Sequence, residues 1–118
     1  MSFVHLHVHT EYSLDAISKI DELFIRAEDL EMPGLAITDH GTISGVPEFL
    51  KTAERHPTVK PIVGCEFWLA DKDMVTYHLI LLAKNLTGYK NLVKLVSYAN
   101  TEGIYYQPRI TREKLIEC

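Results

Sequence analysis

The chain has 118 residues, of which 47% are hydrophobic, and a formal net charge of −4. These values fit one soluble globular domain at most and exclude a disordered polypeptide. No apolar run approaches the roughly 18 residues of a membrane span, so we expect a cytoplasmic protein. The charge is uneven, because residues 1–50 carry nine acidic and two basic side chains (−7) while the remaining seven acidic and ten basic side chains give +3. The acidic half favours cations, and no basic stripe suited to gripping nucleic acid is visible.

Several polar residues have plain structural interpretations. Cys65 and Cys118 form no spaced framework, which predicts a reducing compartment and no disulfide scaffold. Cys65 is predicted to be a small buried side chain rather than a nucleophile. The acidic group at residues 28–31 is interpreted as a solvated helix face, and His56, beside a proline, as a surface residue.

The first half of the chain begins with a predicted strand at residues 3–9. A helix follows within residues 14–31, where Ser18 and Asp21 have the spacing of a capping box. Its predicted buried face consists of Ile20, Leu23, Phe24, Ala27 and Leu30. The Met-Pro-Gly sequence at residues 32–34 ends this helix and leads into a short buried strand at 35–38.

The second half continues the alternation with a helix at about residues 47–55. Residues 60–64 lead into a third strand, and residues 77–83 form a fourth. Another helix follows Thr87 as its cap, with an apolar face made by Tyr89, Leu92, Val93 and Val96. Residues 103–108 are predicted to be irregular, and 111–116 to open a further helix. Strands alternating with helices indicate an α/β fold.

Four strands, each followed by helical or loop material, amount to about half of a closed βα barrel. We therefore predict that residues 1–118 form the N-terminal part of a single barrel domain, truncated before its last strands. Unpaired strand edges expose backbone groups and apolar surface. The chain is accordingly expected either to self-associate or to be a piece of a longer protein.

The strongest functional signal is the alternation of His5, His7 and His9. Side chains at i, i+2 and i+4 of a strand share one face, which predicts that the three rings project together. Imidazole is poor core material because both ring nitrogens need partners, but neutral imidazole is the commonest metal ligand. The alternation therefore predicts a metal site.

Later strands add further candidate ligands. Asp39 and His40 follow the second strand, Glu66 is predicted just past the third, and His78 opens the fourth. Mixed histidine and carboxylate ligands suit zinc, manganese or iron, and a carboxylate such as Glu66 can bridge two ions. Clustered ions promote phosphoester hydrolysis by generating a metal-bound water as nucleophile. No glycine-rich phosphate loop or nucleophile elbow competes with this interpretation, which predicts no catalytic side chain beyond that water.

The chain resembles the PHP (polymerase and histidinol phosphatase) domain family. Three segments carry the resemblance: HLHVHT at residues 5–10, AITDHG at 36–41 and PIVGCE at 61–66. Three others are similar to the branch of the family found in bacterial DNA polymerase III alpha subunits: 77–85, 87–92 and 105–110.

The resemblance implies a distorted seven-stranded βα barrel that binds up to three divalent ions at the C-terminal ends of its strands. Carried over by position, it implies His7 and His9 as ligands of one ion, with Glu66 bridging. Asp15 and His40 would bind a second ion, and a third would be bound by His78. The resemblance also implies that His5 and Asp39 support these ligands.

The resemblance further implies function. Active members are metal-dependent 3′–5′ exonucleases within a DNA polymerase, which would bring DNA and other replicase subunits as partners. Alternatives are a structural scaffold without catalysis and a stand-alone phosphatase such as histidinol phosphatase. The family completes its site with a Cys or His and an Asp-x-His pair from later strands, and Cys118 comes too early to supply one. The 118 residues alone are therefore expected to be weakly active or inactive.

Overall fold

The computed structural model describes residues 2–118, within which five strands and four α-helices are present. The strands are β1 (Gly34–Ile37), β2 (Lys60–Ala70), β3 (Thr76–Leu82), β4 (Ile104–Tyr105) and β5 (Gln107–Thr111). The helices are α1 (Ile20–Asp29), α2 (Val46–Ala53), α3 (Leu86–Asn100) and α4 (Arg112–Glu117), and Glu11–Ser13 form a 3-10 turn. In this part of the chain, no helix is both long and apolar enough to cross a membrane.

The long strand β2 organises the sheet. Its first residues pair with β1 in parallel, and its last three residues pair with β5, also in parallel. The other edge of β2 pairs with β3 as an antiparallel hairpin, so β3 is not part of a parallel barrel order. The mixed α/β class is therefore confirmed, and the connection from β2 to β3 is a loop rather than a helix.

The predicted first strand at residues 3–9 is not a regular strand. It lies along β1, where His5 forms an isolated bridge with Leu35. The His5 and Val8 carbonyls accept hydrogen bonds from the backbone N–H groups of Ala36 and Thr38, so three residue steps on this segment match two on β1. One extra residue breaks a ladder and re-aims the following side chains. The Val8 N–H consequently bonds the Thr38 hydroxyl, at 2.9 Å.

Two clusters of buried side chains form the core. One packs α1 and α2 on β1, where the Phe24 and Phe49 rings lie 5.0 Å apart. The other packs α3 on β2 and β5 and includes Phe67, Leu95 and Ile110. The two clusters bury the apolar faces of α1, α2 and α3 against the sheet.

Three helix details differ from the sequence predictions. The cap of α1 is Lys19 and uses no side chain, because the helix begins one residue after the proposed Ser18 capping box would place it. Leu30 follows the helix and is 48% exposed, so it is not part of the buried face. The cap of α3 is Asn85, whose side chain accepts from the Gly88 N–H, rather than Thr87.

Two strand details also differ. Glu66 lies inside β2 rather than after it, because this strand continues to Ala70. Residues 103–108 are not irregular throughout, since β4 and β5 form a short hairpin there. A Cβ atom on Gly103 would lie 2.0 Å from the Arg109 carbonyl oxygen, so only glycine permits this packing. The helix predicted at 111–116 is confirmed as α4, with Thr111 as its cap.

Candidate metal centre

The centre of the site is the carboxylate of Glu66, which is only 2% exposed. Its Oε2 lies 2.5 Å from His9 Nε2 and 3.1 Å from His7 Nε2. The same oxygen lies 3.4 Å from His40 Nδ1, and Oε1 lies 3.1 Å from His78 Nδ1. Four imidazoles from three different parts of the chain therefore converge on one buried carboxylate.

Asp15 adds a second carboxylate beside the first. Its Oδ2 lies 3.1 Å from His40 Nε2, and its Oδ1 lies 3.8 Å from His9 Nδ1. Two groups of three ligand atoms, each within 4.8 Å of one another, result: His7, His9 and Glu66, and His9, Asp15 and His40. Because His9 belongs to both groups, two ions held here would be close neighbours.

Polar contacts around the 3-10 turn fix the spacing of His9 and Asp15. Asp39 Oδ1 accepts from the Thr10 N–H at 2.6 Å, and its Oδ2 accepts from the Thr10 hydroxyl at 2.8 Å. The Ser13 hydroxyl accepts from the His40 N–H at 3.0 Å. Both ends of the turn are therefore hydrogen-bonded to residues that follow β1. Asp39 bonds Thr10, the residue that follows His9, and so fixes the backbone there.

The structure separates His5 from the other two histidines of the alternation. His5 lies against the Phe3 ring and lines a cavity with Leu23 and Ala27 of α1. His7 and His9 instead pack ring to ring, with centroids 5.1 Å apart. The expectation that all three share a face is wrong, because the extra residue between His5 and Val8 breaks the two-residue period.

The electrostatics keep both carboxylates ionised. Burial by itself raises the pKa of Glu66, but hydrogen bonds from His7 and His9 and the nearby His40 outweigh it, so this pKa lies below its ordinary value. The Ser13 hydroxyl lowers the pKa of Asp15, and His40 acts in the same direction. Charged carboxylates beside imidazoles are the state that a cation requires.

The donor set fits a divalent metal. His40 Nδ1 is buried and has no hydrogen-bond partner within residues 2–118. The His9 and His40 rings lie 4.2 Å apart, and the His40 and His78 rings 5.3 Å apart. Imidazoles packed this closely repel if protonated, whereas neutral rings and carboxylates together form the ligand set typical of zinc, manganese and iron.

Sequence reasoning missed three residues of this region. Trp68 stacks on the His40 ring, with ring centroids 4.9 Å apart and an interplanar angle of 17°. Thr10 donates hydrogen bonds to Asp39, and Ser13 accepts one from the His40 N–H. Two-residue periodicity could have found Trp68, because it follows Glu66 by two positions and therefore shares its face of the strand. Nothing local distinguishes Thr10 or Ser13 from ordinary turn residues.

The other singled-out residues lie apart from the site. His56 is not at the surface, since it is 13% exposed, stacks on Phe24 and lies 2.9 Å from Glu28. Cys65 is fully buried, as predicted, and burial raises the pKa of its thiol to about 12. Cys118 packs against the cluster beneath α3.

Comparison with protein families supplies independent information. A family model described as "PHP domain" matches residues 5–118. DNA polymerase III subunit alpha of Borreliella burgdorferi is 44% identical over 124 residues, covering 96% of this chain and 11% of the relative. The corresponding subunit of Treponema pallidum is 45% identical over 128 residues, covering 99% and 11%. The chain thus spans about a tenth of the length of these relatives.

Solved structures resemble the fold. A Bifidobacterium adolescentis protein described as a metal-dependent phosphoesterase has a TM-score of 0.59 and 21% identity, covering 83% of this chain and 32% of that chain. An amidohydrolase from Chromobacterium violaceum has a TM-score of 0.61 and 24% identity, covering 85% and 34%. The chain therefore has the fold of about one third of these proteins.

Proposed function

We propose that the clustered histidines and carboxylates of this chain bind divalent metal ions and serve in phosphoester hydrolysis. The chain belongs to the PHP domain family, which supports this proposal. The proposed ligands are His7, His9, Asp15, His40, Glu66 and His78. Zinc, manganese and iron are the candidate metals, since each accepts this mixture of nitrogen and oxygen ligands. Up to three ions are proposed for the intact domain.

The observation that carries the proposal is the convergence of four imidazoles on Glu66, with nitrogen to oxygen distances of 2.5–3.4 Å. A buried carboxylate needs compensation, and one or two hydrogen bonds would supply it. Four rings exceed that need, and His40 Nδ1, although 3.4 Å from Glu66 Oε2, makes no hydrogen bond inside the described part of the chain. Such an excess of donors around one carboxylate is typical of metal centres.

The supporting residues have separate proposed roles. Asp39 holds the backbone next to His9 through Thr10, so it positions that ligand without touching it. Thr38 fixes the Val8 backbone through its hydroxyl, at 2.9 Å. His5 lies beside α1 and, on this proposal, supports the segment by packing rather than by contact with an ion.

The proposed reaction is hydrolysis of the terminal phosphodiester at a DNA 3′ end. Water adds to phosphorus, the bond to the 3′ oxygen of the preceding nucleotide breaks, and that oxygen takes a proton. Ions held by the proposed histidine and carboxylate ligands would lower the pKa of water and stabilise the charge that develops on the phosphate. The ionised carboxylates of Glu66 and Asp15 are the proposed oxygen ligands of these ions.

The relatives support the DNA context, because they are DNA polymerase III alpha subunits. We propose that the chain is the N-terminal part of such a domain, with DNA and other replicase subunits as partners of the whole protein. A scaffold without catalysis leaves the crowded ligand set unexplained. A histidinol phosphatase receives no support from these relatives.

Metal content and stability test the proposal directly. We expect zinc to bind to the chain and to raise its free energy of unfolding by about 3 kcal/mol at a hundredfold excess over the dissociation constant. His9→Ala should abolish most of this binding, because His9 belongs to both ligand groups. Elemental analysis after dialysis and urea unfolding with and without zinc are the measurements.

His56→Ala is the matched control, since His56 lies outside the cluster and is paired with Glu28. It should lower stability but keep the zinc content. Equal zinc in wild type and His9→Ala would contradict the proposed centre. In a full-length polymerase that carries this domain, chelator and His9→Ala should each remove the 3′ exonuclease activity, and the isolated chain should show little turnover.

A further inference from the structure

A cavity of about 530 Å³ lies beside the metal centre, between the 3-10 turn, the residues that follow β1, and Trp68 of β2. Its volume is within the range of small-ligand pockets. His40 lines this cavity and also contacts Glu66 and Asp15. The organic group bonded to a phosphate held at the centre would therefore lie at the mouth of this cavity.

One side of the cavity wall is aromatic and apolar, whereas polar side chains that include Glu11, Thr42 and Ser44 line the rest. Tyr12, Leu14 and Trp68 contribute to the apolar side. Leu14 is 96% exposed and has a φ of +64°, a left-handed conformation that apolar residues rarely adopt. This leucine directly follows the 3-10 turn, so its side chain at the cavity is free to contact an apolar face of a ligand.

The floor of the cavity is rigid. A Cβ atom on Gly41 would lie 2.9 Å from Pro108 and 3.3 Å from Trp68, so these groups pack directly against the glycine backbone. The Asn100 amide donates to the Gly41 carbonyl at 2.9 Å and fixes it. Trp68 is further held by stacking on His40. A preformed wall of this kind binds a flat ligand at little cost in ordering.

We infer that this cavity, which we call the base cavity, receives the base of the 3′-terminal nucleoside of a single-stranded end. The inference rests on the proposed function, because it assigns the cavity to a substrate of that site. A base presents a flat apolar face to aromatic side chains whatever its identity, which suits an enzyme that must remove any nucleotide. The cavity holds one nucleoside, while the phosphate on its 5′ side lies toward His40.

Trp68 is the single tryptophan of the chain and reports on the cavity. The probe is a tetrathymidylate with phosphorothioate linkages that resist hydrolysis, compared with the same oligonucleotide lacking only its 3′-terminal base. In the presence of zinc, the intact probe should quench Trp68 fluorescence. The probe lacking the base should bind about tenfold to a hundredfold more weakly.

Two matched variants test whether Leu14 in the cavity wall contacts the probe. Leu14→Asn keeps a residue that tolerates the left-handed conformation but removes the apolar contact, so it should weaken binding of the intact probe about tenfold. Ile17→Asn changes a residue that is 93% exposed and lies outside the cavity lining, and it should leave binding unchanged. Neither variant should alter the zinc content.

The outcomes separate this inference from the proposed function. Equal affinity for the two probes, or binding of neither, overturns the base cavity even if zinc is bound. An equal effect of Leu14→Asn and Ile17→Asn also overturns it. Loss of zinc binding with base-dependent quenching intact would instead contradict the metal centre and leave the cavity assignment standing.

Discussion

Gly41 lies between a candidate metal ligand and the floor of the base cavity, and its φ is +59°. This conformation costs an ordinary residue about 1–2 kcal/mol, and a Cβ atom would also lie 2.9 Å from Pro108. In the sequence, this glycine directly follows Asp39 and His40. The structure adds that the glycine is required by packing as well as by backbone angle.

We therefore predict that Gly41→Ala lowers the free energy of unfolding by about 2 kcal/mol. Gly88→Ala is the matched control, because Gly88 lies inside α3 and its added Cβ would meet only ordinary contacts at 3.4 Å. That change should stabilise the chain by about 0.5–1 kcal/mol through helix propensity. Urea unfolding measures both, and a loss of stability in Gly88→Ala equal to that in Gly41→Ala would refute the packing argument.

The elements depend on a few local contacts, and α3 illustrates them best. Its first turn is capped by Asn85, whose side-chain oxygen accepts from the Gly88 N–H at 3.0 Å. The sequence pattern favoured Thr87, since threonine before an apolar face has the same appearance. Both residues are acceptable caps, and only the backbone conformation decides between them.

Asn85→Ala should cost about 1 kcal/mol of stability, because it leaves a helix N–H group without its acceptor. Thr87→Ala should change stability by less than about 0.5 kcal/mol, because Thr87 lies within the helix and is exposed. Thermal and urea unfolding of the two variants make the comparison. A larger effect at Thr87 would place the start of the helix two residues later than described.

The segment before β1 shows how an element can be functional without being regular. One additional residue between His5 and Val8 turns His5 toward α1 and leaves His7 and His9 beside Glu66. A regular strand would have kept all three histidines on one face. The irregularity therefore selects which two histidines reach the centre.

At the scale of the whole molecule, the exposed edge of β3 is the candidate surface for pairing with another chain. Within residues 2–118, β3 pairs only with β2, and Tyr77 on it is 54% exposed. An open strand edge with apolar side chains is a template for pairing with another chain. We predict that the protein self-associates through this edge in a concentration-dependent way.

Sedimentation velocity over a range of concentrations measures this association. Tyr77→Lys should shift the equilibrium toward monomer, because lysine on an edge strand disfavours pairing. Tyr106→Lys makes the same chemical change at a residue that is 93% exposed but lies between β4 and β5, and it should have no effect. A monomer at all concentrations, or equal effects of the two variants, would contradict the prediction.

The sequence by itself determined the α/β class, the approximate positions of the four helices, of β1 and of β3, the start of β2, and the residue types of the candidate site. These features follow from local patterns: apolar periodicity predicts the elements, and His40, Glu66 and His78 each lie near one end of a predicted strand. Only the tertiary structure decided that His5 faces away, that β3 is antiparallel, that β5 exists, and that Trp68 stacks on His40. Such facts depend on hydrogen bonds and contacts between residues far apart in the chain, and a local pattern carries no information about register between distant segments.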